Sequence, residues 1–251
     1  MNLSARRAAQ LLQALGAIDT PTVTNVVATY PGNPLCLGLY EPWTARWYTD
    51  SSIRCIAPAI GPRVGYAVTC VYGLPDPGSS GRLTFMDVVD APDASPKPTI
   101  LALEQRWPPH LLPKAGLAGE LMATAMRAVG CVGMISNGPS RDVDAVRRLG
   151  FQMLLGGVTA GHGEMAVHAV NVPVTIGGMD VAPEELIHMD ENGAVKFPAD
   201  RLEAVVANAQ AMLAAEAVQL AALRKAKSAA QVRAAMAAGQ YGRSNGAKRS
   251  T

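Results

Sequence analysis

Residues 119–142, GELMATAMRAVGCVGMISNGPSRD, constrain the fold more than any other stretch of this chain. Leu121, Met122, Ala125, Met126 and Val129 recur three and four residues apart, the spacing of one helix face, and Gly130 supplies the stop. A short apolar run, 131–135, predicts a buried strand. Asn137-Gly138 then predicts a tight turn with positive φ. Arg141 and Asp142 follow at the start of a second helix marked by Val143, Val146 and Leu149 and ended by Gly150. Helix, buried strand and helix in this order point to an α/β fold. A guanidinium beside a carboxylate, on a loop leaving a buried strand, is where such folds place their chemistry.

At 251 residues and 49% hydrophobic, the chain holds one large domain with a sizeable core. The division expected is 1–216 as the folded body and 217–251 as a basic extension, helical and then disordered. The net charge of +2 hides this division: seven of the 22 Lys and Arg follow Glu216, with no acid. That leaves 15 bases against 20 acids, a net of −5, over residues 1–216. So acidic a body argues against nucleic acid as a partner. Cys36, Cys55, Cys70 and Cys131 have neither disulfide-framework nor zinc spacing, which predicts reduced thiols and a cytoplasmic setting. No apolar run is expected to reach membrane-spanning length, so no membrane is predicted as a partner.

Along the chain, helices are expected over 3–16, from Asp19-Thr20-Pro21 onward, over 84–89, and from Asp200 onward with Glu203 closing a capping box. In that last helix Leu202, Val206, Ala209, Leu213 and Leu220 mark an apolar stripe, and Glu216 falls inside it. An alanine-rich continuation over 214–238 is expected to extend onward. Strands are expected at 64–72, 99–103 and 152–155. A β-rich segment should follow at 171–176, 181, 186–189 and 194–197, with Gly-Gly, Pro-Glu and Asn-Gly turns between. Residues 31–62 read as loop with short strands, 75–81 as a flexible rim, and 91–98 as a breaker run.

Several patches of this sequence, taken in order, resemble the regulator of ribonuclease activity A family, and more closely its aldolase-like members. They are GYAVT at 65–69, GEL at 119–121, Gly133 with Gly138, Arg141-Asp142, VNVPV at 170–174, and DENG at 190–193 followed by Pro198. The resemblance runs from about Asp19 to Glu216. Its aldolase members cleave 4-hydroxy-4-methyl-2-oxoglutarate and related oxo acids. It implies an α/β/α sandwich of the swivelling β/β/α-domain type, assembly as a homotrimer or a hexamer of two trimers, and an active site at the subunit boundary. It also implies a divalent metal, Mg2+ or another such as Mn2+.

Carried onto this chain, the resemblance makes Asp142 the metal ligand and Arg141 the contact to the keto acid. The backbone of Gly119, Glu120 and Leu121 becomes a carboxylate receptor, and Glu216 an acid delivered to the neighbouring subunit's site. Each has a plainer explanation. An Asp in a first helical turn satisfies the helix dipole, a Gly-Glu pair opens many helices, and Glu216 can snorkel at a helix edge. Glu104 stands where the family more often shows Asp. The acid that family aldolases often carry three residues after the Asp of the pair is Ala145 here. Asp144 lies one residue earlier, about 100° round the helix. His162, in a Gly-rich loop, is a candidate pocket residue, while His110, His168 and His188 lie in no catalytic pattern. The activity expected is metal-dependent cleavage of a 4-hydroxy-2-oxo acid to the enolate of pyruvate, with metal-linked water or hydroxide as base and oxaloacetate decarboxylation on the side. The alternative is a non-catalytic regulator that binds a ribonuclease or its scaffold.

Overall fold

A computed structural model of the chain describes residues 3–75 and 83–237. The expected rim at 75–81 and the end of the basic extension lie almost wholly outside the described residues. The chain opens with helices α1 (Ala5–Leu15) and α2 (Thr20–Val27). Ser4 and Asp19 cap them by accepting the Arg7 and Thr22 N–H groups at 3.3 and 3.1 Å. Residues 31–62 are mostly loop, as expected. They are pinned by the buried Trp47 and carry a single short strand, β1 (Arg54–Cys55).

Strand β2 (Arg63–Gly73) is the spine of the sheet. It is followed by α3 (Phe85–Ala94), β3 (Thr99–Arg106), α4 (Glu120–Ala128), β4 (Cys131–Ser140), α5 (Val143–Arg148) and β5 (Gln152–Val158). Next come β6 (Ala166–Val170), β7 (Val174–Ile176), β8 (Met179–Val181), β9 (Leu186–Asp190) and β10 (Gly193–Phe197). Two helices close the described chain, α6 (Leu202–Lys225) and α7 (Ala229–Ala237). Strands run in the order β1-β5-β4-β3-β2-β9-β10. Strands β2 to β5 are mutually parallel, and β6 pairs with the C-terminal half of β2 on the edge that β9 uses at its other end.

Side chains alternate across this sheet as the pleat requires. Val68, Cys70 and Tyr72 of β2, with Leu101 and Leu103 of β3, face outward onto α3, α4 and α5. Val64, nearer the start of β2, faces outward onto α1, α2 and α6. Ala67, Val71, Ile100, Ala102, Ile135, Leu154, Ile187 and Met189 share the inner face with the β7–β8 hairpin. The sheet curls round that inner core until β9 meets β4. A side chain at Gly133 would overlap Met189 and stand 2.7 Å from the Gln152 carbonyl. The architecture is therefore the expected mixed α/β domain, two helical groups flanking a strongly curved sheet, with a helical C-terminal extension.

The structure corrects several local expectations. Asn137-Gly138 makes no tight turn; β4 runs through it with a shift in register between Ser136 and Pro139. The Asn137 side chain accepts the Gln105 N–H at 2.7 Å and donates to the Gln105 carbonyl at 3.0 Å, replacing the main-chain ladder that the bulge interrupts. Helix α3 continues past residue 89 with Pro92 inside it, so the breaker run acts only after Ala94. Strand β6 was not foreseen. Glu203 closes no capping box but pairs with Arg7 at 2.6 Å.

The buried stripe of α6 is Leu202, Val205, Val206, Ala209 and Met212, while Leu213 and Leu220 are exposed. The alanine-rich continuation breaks after Lys225, and α7 folds back on α6, with Gln219 donating to Met236 at 3.5 Å. Contrary to the composition reading, one helix, 199–225, is long and apolar enough to cross a membrane. Its first half is committed to the core, which leaves 213–225, short of the about 20 residues a span needs.

Candidate functional site

The C-terminal ends of β2 and β4 and the N-terminus of α4 converge on a cavity of about 520 Å³. Gly119, Leu121, Arg141, Asp142 and His162 all line it, so the structure brings most of the candidate residues together. Two chain segments are zipped to make it. The Arg141 N–H donates to the Ala118 carbonyl at 3.0 Å, the Ser140 hydroxyl donates to the same carbonyl, and the Thr159 N–H donates to the Ser140 carbonyl at 3.0 Å.

Asp142 turns the chain itself. It adopts the left-handed conformation, φ 56° and ψ 33°, which Asp tolerates better than most residues but at some cost in strain. Its carboxylate makes no cap on α5. It points instead at the start of α4, where Oδ2 accepts the Glu120 N–H at 3.1 Å. Gly119 permits this: a Cβ there would overlap Asp142 Oδ2 and lie 3.1 Å from Arg141 Nε. The glycine is needed for the space it leaves open.

Arg141 Nε lies 3.7 Å from Asp142 Oδ2, close enough for attraction but beyond a hydrogen bond. That Nε is buried and has no hydrogen-bond partner among the described residues, although the side chain as a whole is 37% exposed. A buried guanidinium N–H without an acceptor costs about 1–3 kcal/mol.

The Glu120 N–H is taken by Asp142, so the free first-turn donors of α4 are those of Leu121 and Met122. The Glu120 side chain is exposed. Leu121, expected on the apolar face of α4, is 85% exposed at the cavity rim, and Ala123 and Met126 carry the burial instead. His162 Nδ1 sits 2.9 Å from the Gly163 carbonyl and must donate to it, which leaves Nε2 free to accept. Tyr72, Phe85, Leu117, Met165 and Val167 also line the cavity. Sequence reasoning missed them because they lie on three different elements and two loops, far apart in the chain. Burial pushes the Tyr72 phenol above its usual range, so it stays protonated.

The other candidate acids go elsewhere. Glu104 lies on the opposite face of the sheet, accepts the Thr175 N–H at 3.1 Å and pairs with Arg106 at 2.8 Å. Asp144 is 77% exposed and pairs with Arg147 at 2.5 Å, so it does not replace the acid absent at Ala145. Glu216 is half-buried on α6 and does not line this cavity.

Among the described residues no three His, Cys, Asp or Glu side chains converge as a closed metal site would require. Among the described residues lining the cavity, Asp142 is the single carboxylate, with Oδ2 fixed by the Glu120 N–H and Oδ1 without a hydrogen-bond partner there. That donor set suits a hard cation that keeps most of its waters, such as Mg2+, and does not suit four-coordinate zinc.

The Arg–Asp pair thus sits against a glycine-cleared helix start, beside a largely apolar cavity. A family model described as RraA-like, Aldolase/RraA, matches residues 44–196, and the chain belongs to that family. A protein of Halalkalibacterium halodurans named "Putative 4-hydroxy-4-methyl-2-oxoglutarate aldolase" is 28% identical over 95 residues, 38% of this chain and 45% of that protein. The chain spans about half the length, or less, of the curated relatives it matches. An uncharacterised protein from Pseudomonas syringae pv. tomato superposes with a TM-score of 0.69 at 19% identity, covering 93% of this chain and 95% of that one. Streptomyces coelicolor RraAS2, titled an unusual member of the RNase ES inhibitor RraA family, superposes with a TM-score of 0.64 at 20% identity, covering 83% and 94%. At these identities the structural matches establish the fold.

Proposed function

We propose that this chain is a divalent-cation-dependent lyase that cleaves the C3–C4 bond of a 4-hydroxy-2-oxo acid, giving pyruvate and a second carbonyl compound. The observation that carries the reading is the convergence of Arg141 and Asp142 on the space that Gly119 leaves open, at a cavity sized for a small ligand. The names of the aldolase-like relatives support it.

Held at Asp142, Mg2+ or Mn2+ would supply Lewis acidity toward the C1 carboxylate and C2 carbonyl oxygens. Arg141 lines the cavity and would turn its planar guanidinium to the same end of the substrate, matching a carboxylate and, later, an enolate. The Leu121 and Met122 N–H groups, free at the start of α4, would receive carboxylate oxygen. His162 Nε2 is the free ring nitrogen at the cavity that can take the C4 hydroxyl proton. As that proton leaves, C4–O becomes a carbonyl, the C3–C4 electron pair becomes the C2=C3 double bond of the enolate, and the π pair of the C2 carbonyl moves onto its oxygen. Protonation at C3 then gives pyruvate. Arg141 stabilises the charge that grows on the C2 oxygen, the largest catalytic contribution expected of a side chain here. Oxaloacetate decarboxylation passes through the same enolate and is expected as a side activity.

We further propose a cytoplasmic setting, in keeping with four free cysteines, and assembly as a trimer or hexamer that brings Glu216 of one subunit to the next subunit's site. The test of function is pyruvate release from a panel of 4-hydroxy-2-oxo acids with and without Mg2+. Asp142→Asn keeps the side-chain shape and removes the charge, so it should fold normally and lose at least about a thousandfold in kcat/KM, a loss of about 4 kcal/mol. Undiminished turnover by Asp142→Asn, or full activity in excess EDTA, would overturn the assignment.

A further inference from the structure

Away from Arg141 and Asp142 the described cavity wall is mostly apolar, with Tyr72, Thr84 and His162 as its uncharged polar side chains. We propose that it receives the C4 substituent of the substrate as an apolar group, aryl or extended alkyl, and not as a second carboxylate. This inference rests on the lyase reading of the same site. Leu83, Phe85, Leu117, Met122, Met165 and Val167 form the wall. Among the described residues lining the cavity, Arg141 is the single Lys or Arg, and it is needed at the C1–C2 end of the substrate. A second carboxylate would lose its water against these side chains and find no second cation among the described lining residues.

The wall also continues. A second cavity of about 100 Å³ shares Leu117, His162 and Met165 with the first and extends toward Trp107 and Leu111. Its two charged groups, Lys114 and Glu164, are exposed and opposite in sign, so they offer no net attraction to an anion. The main cavity, at about 520 Å³, falls within the size range that holds drug-sized ligands.

The test uses two oxo acids that share a head group, lack the C4 hydroxyl and so cannot be cleaved: 2-oxo-4-phenylbutanoate and 2-oxoglutarate. Calorimetric titration of the full chain with each, in the presence of Mg2+, should show the phenyl compound binding at least about tenfold more tightly. Met165→Arg, which places a cation in the wall, should narrow or reverse that ratio; Phe85→Arg repeats the test from α3 if the first variant does not fold. Equal or tighter binding of 2-oxoglutarate by the unmodified chain, or binding of neither compound at millimolar concentration, overturns the inference.

Pyruvate release separates this inference from the functional reading. Turnover of 4-hydroxy-4-methyl-2-oxoglutarate without turnover of 4-hydroxy-2-oxo-4-phenylbutanoate refutes the apolar subsite and leaves the lyase. Turnover of neither, with the phenyl preference in binding intact, refutes the lyase and leaves an apolar oxo-acid site.

Discussion

Replacing Gly119 with alanine tests the geometry of the site most directly, because the fold has little stake in that glycine. Its φ of −129° and ψ of −163° are open to any residue, so alanine brings no backbone strain. As the N-cap of α4, glycine is only modestly better than alanine, a difference of about 1 kcal/mol or less. For a domain of this size that lowers Tm by at most about 4 °C.

The added methyl, however, overlaps Asp142 Oδ2 and crowds Arg141 Nε at 3.1 Å. The carboxylate must swing away by about 1 Å to restore an ordinary contact of about 3.5 Å. It then loses the Glu120 N–H that holds it at 3.1 Å. A hydrogen bond to a charged group contributes about 1.5–3 kcal/mol; Asp142 is 44% exposed, so the lower end applies. Misplacing a catalytic group by 1 Å costs about a hundredfold. We therefore expect Gly119→Ala to lose about two orders of magnitude in kcat/KM, measured as pyruvate release coupled to lactate dehydrogenase, while still folding, with its calorimetric melting point lowered by no more than about 10 °C. Wild-type kcat/KM in a folded variant would refute the role of this contact. Loss of the fold together with activity would refute the claim that the glycine serves the site alone.

Three further outcomes are expected. Arg141→Lys should lose most of its activity in kcat as well as KM, because lysine keeps the charge but lacks the planar fork for a developing enolate; a change in KM alone would make Arg141 a binding residue only. His188 is fully buried, its Nε2 donating to the Leu15 carbonyl at 3.2 Å and its Nδ1 accepting the Thr20 hydroxyl at 2.9 Å; burial holds its folded value below the ordinary 6.5. The unfolded chain then binds the extra proton, so this stability is complete above about pH 6.5 and falls below it by up to about 1.4 kcal/mol per pH unit; a His188→Gln variant whose denaturant midpoint keeps the wild-type slope against pH would refute this origin. Finally, Glu216→Gln should lower kcat without altering the oligomer, and truncation after Gly239 should spare both assembly and activity. An active monomer in light scattering would show the site complete within one chain.

Much of the fold was legible because local chemistry agrees with tertiary structure along most of the chain. The capping residues Ser4 and Asp19, the stop at Gly130 and the apolar runs of β2, β3 and β5 name their elements without help from distant residues. The Arg141-Asp142 pair was legible too, since both groups arrive on one short loop.

Other features were set by contacts between segments far apart in sequence. Asn137-Gly138 satisfies every local rule for a turn, yet Gln105, 32 residues away, engages its side chain and keeps it in a strand. Leu121 fits a helical stripe, but the stripe's rotation on the sheet was fixed by packing, which turned that side chain to the cavity rim. Gly119 opens α4, and only the fold shows that the missing side chain makes room for a carboxylate 23 residues later. The sequence by itself determined most of the elements and brought Arg141 and Asp142 together on one short loop. The tertiary structure decided what those groups face, because register, rotation and the space beside a glycine are set only when distant segments pack.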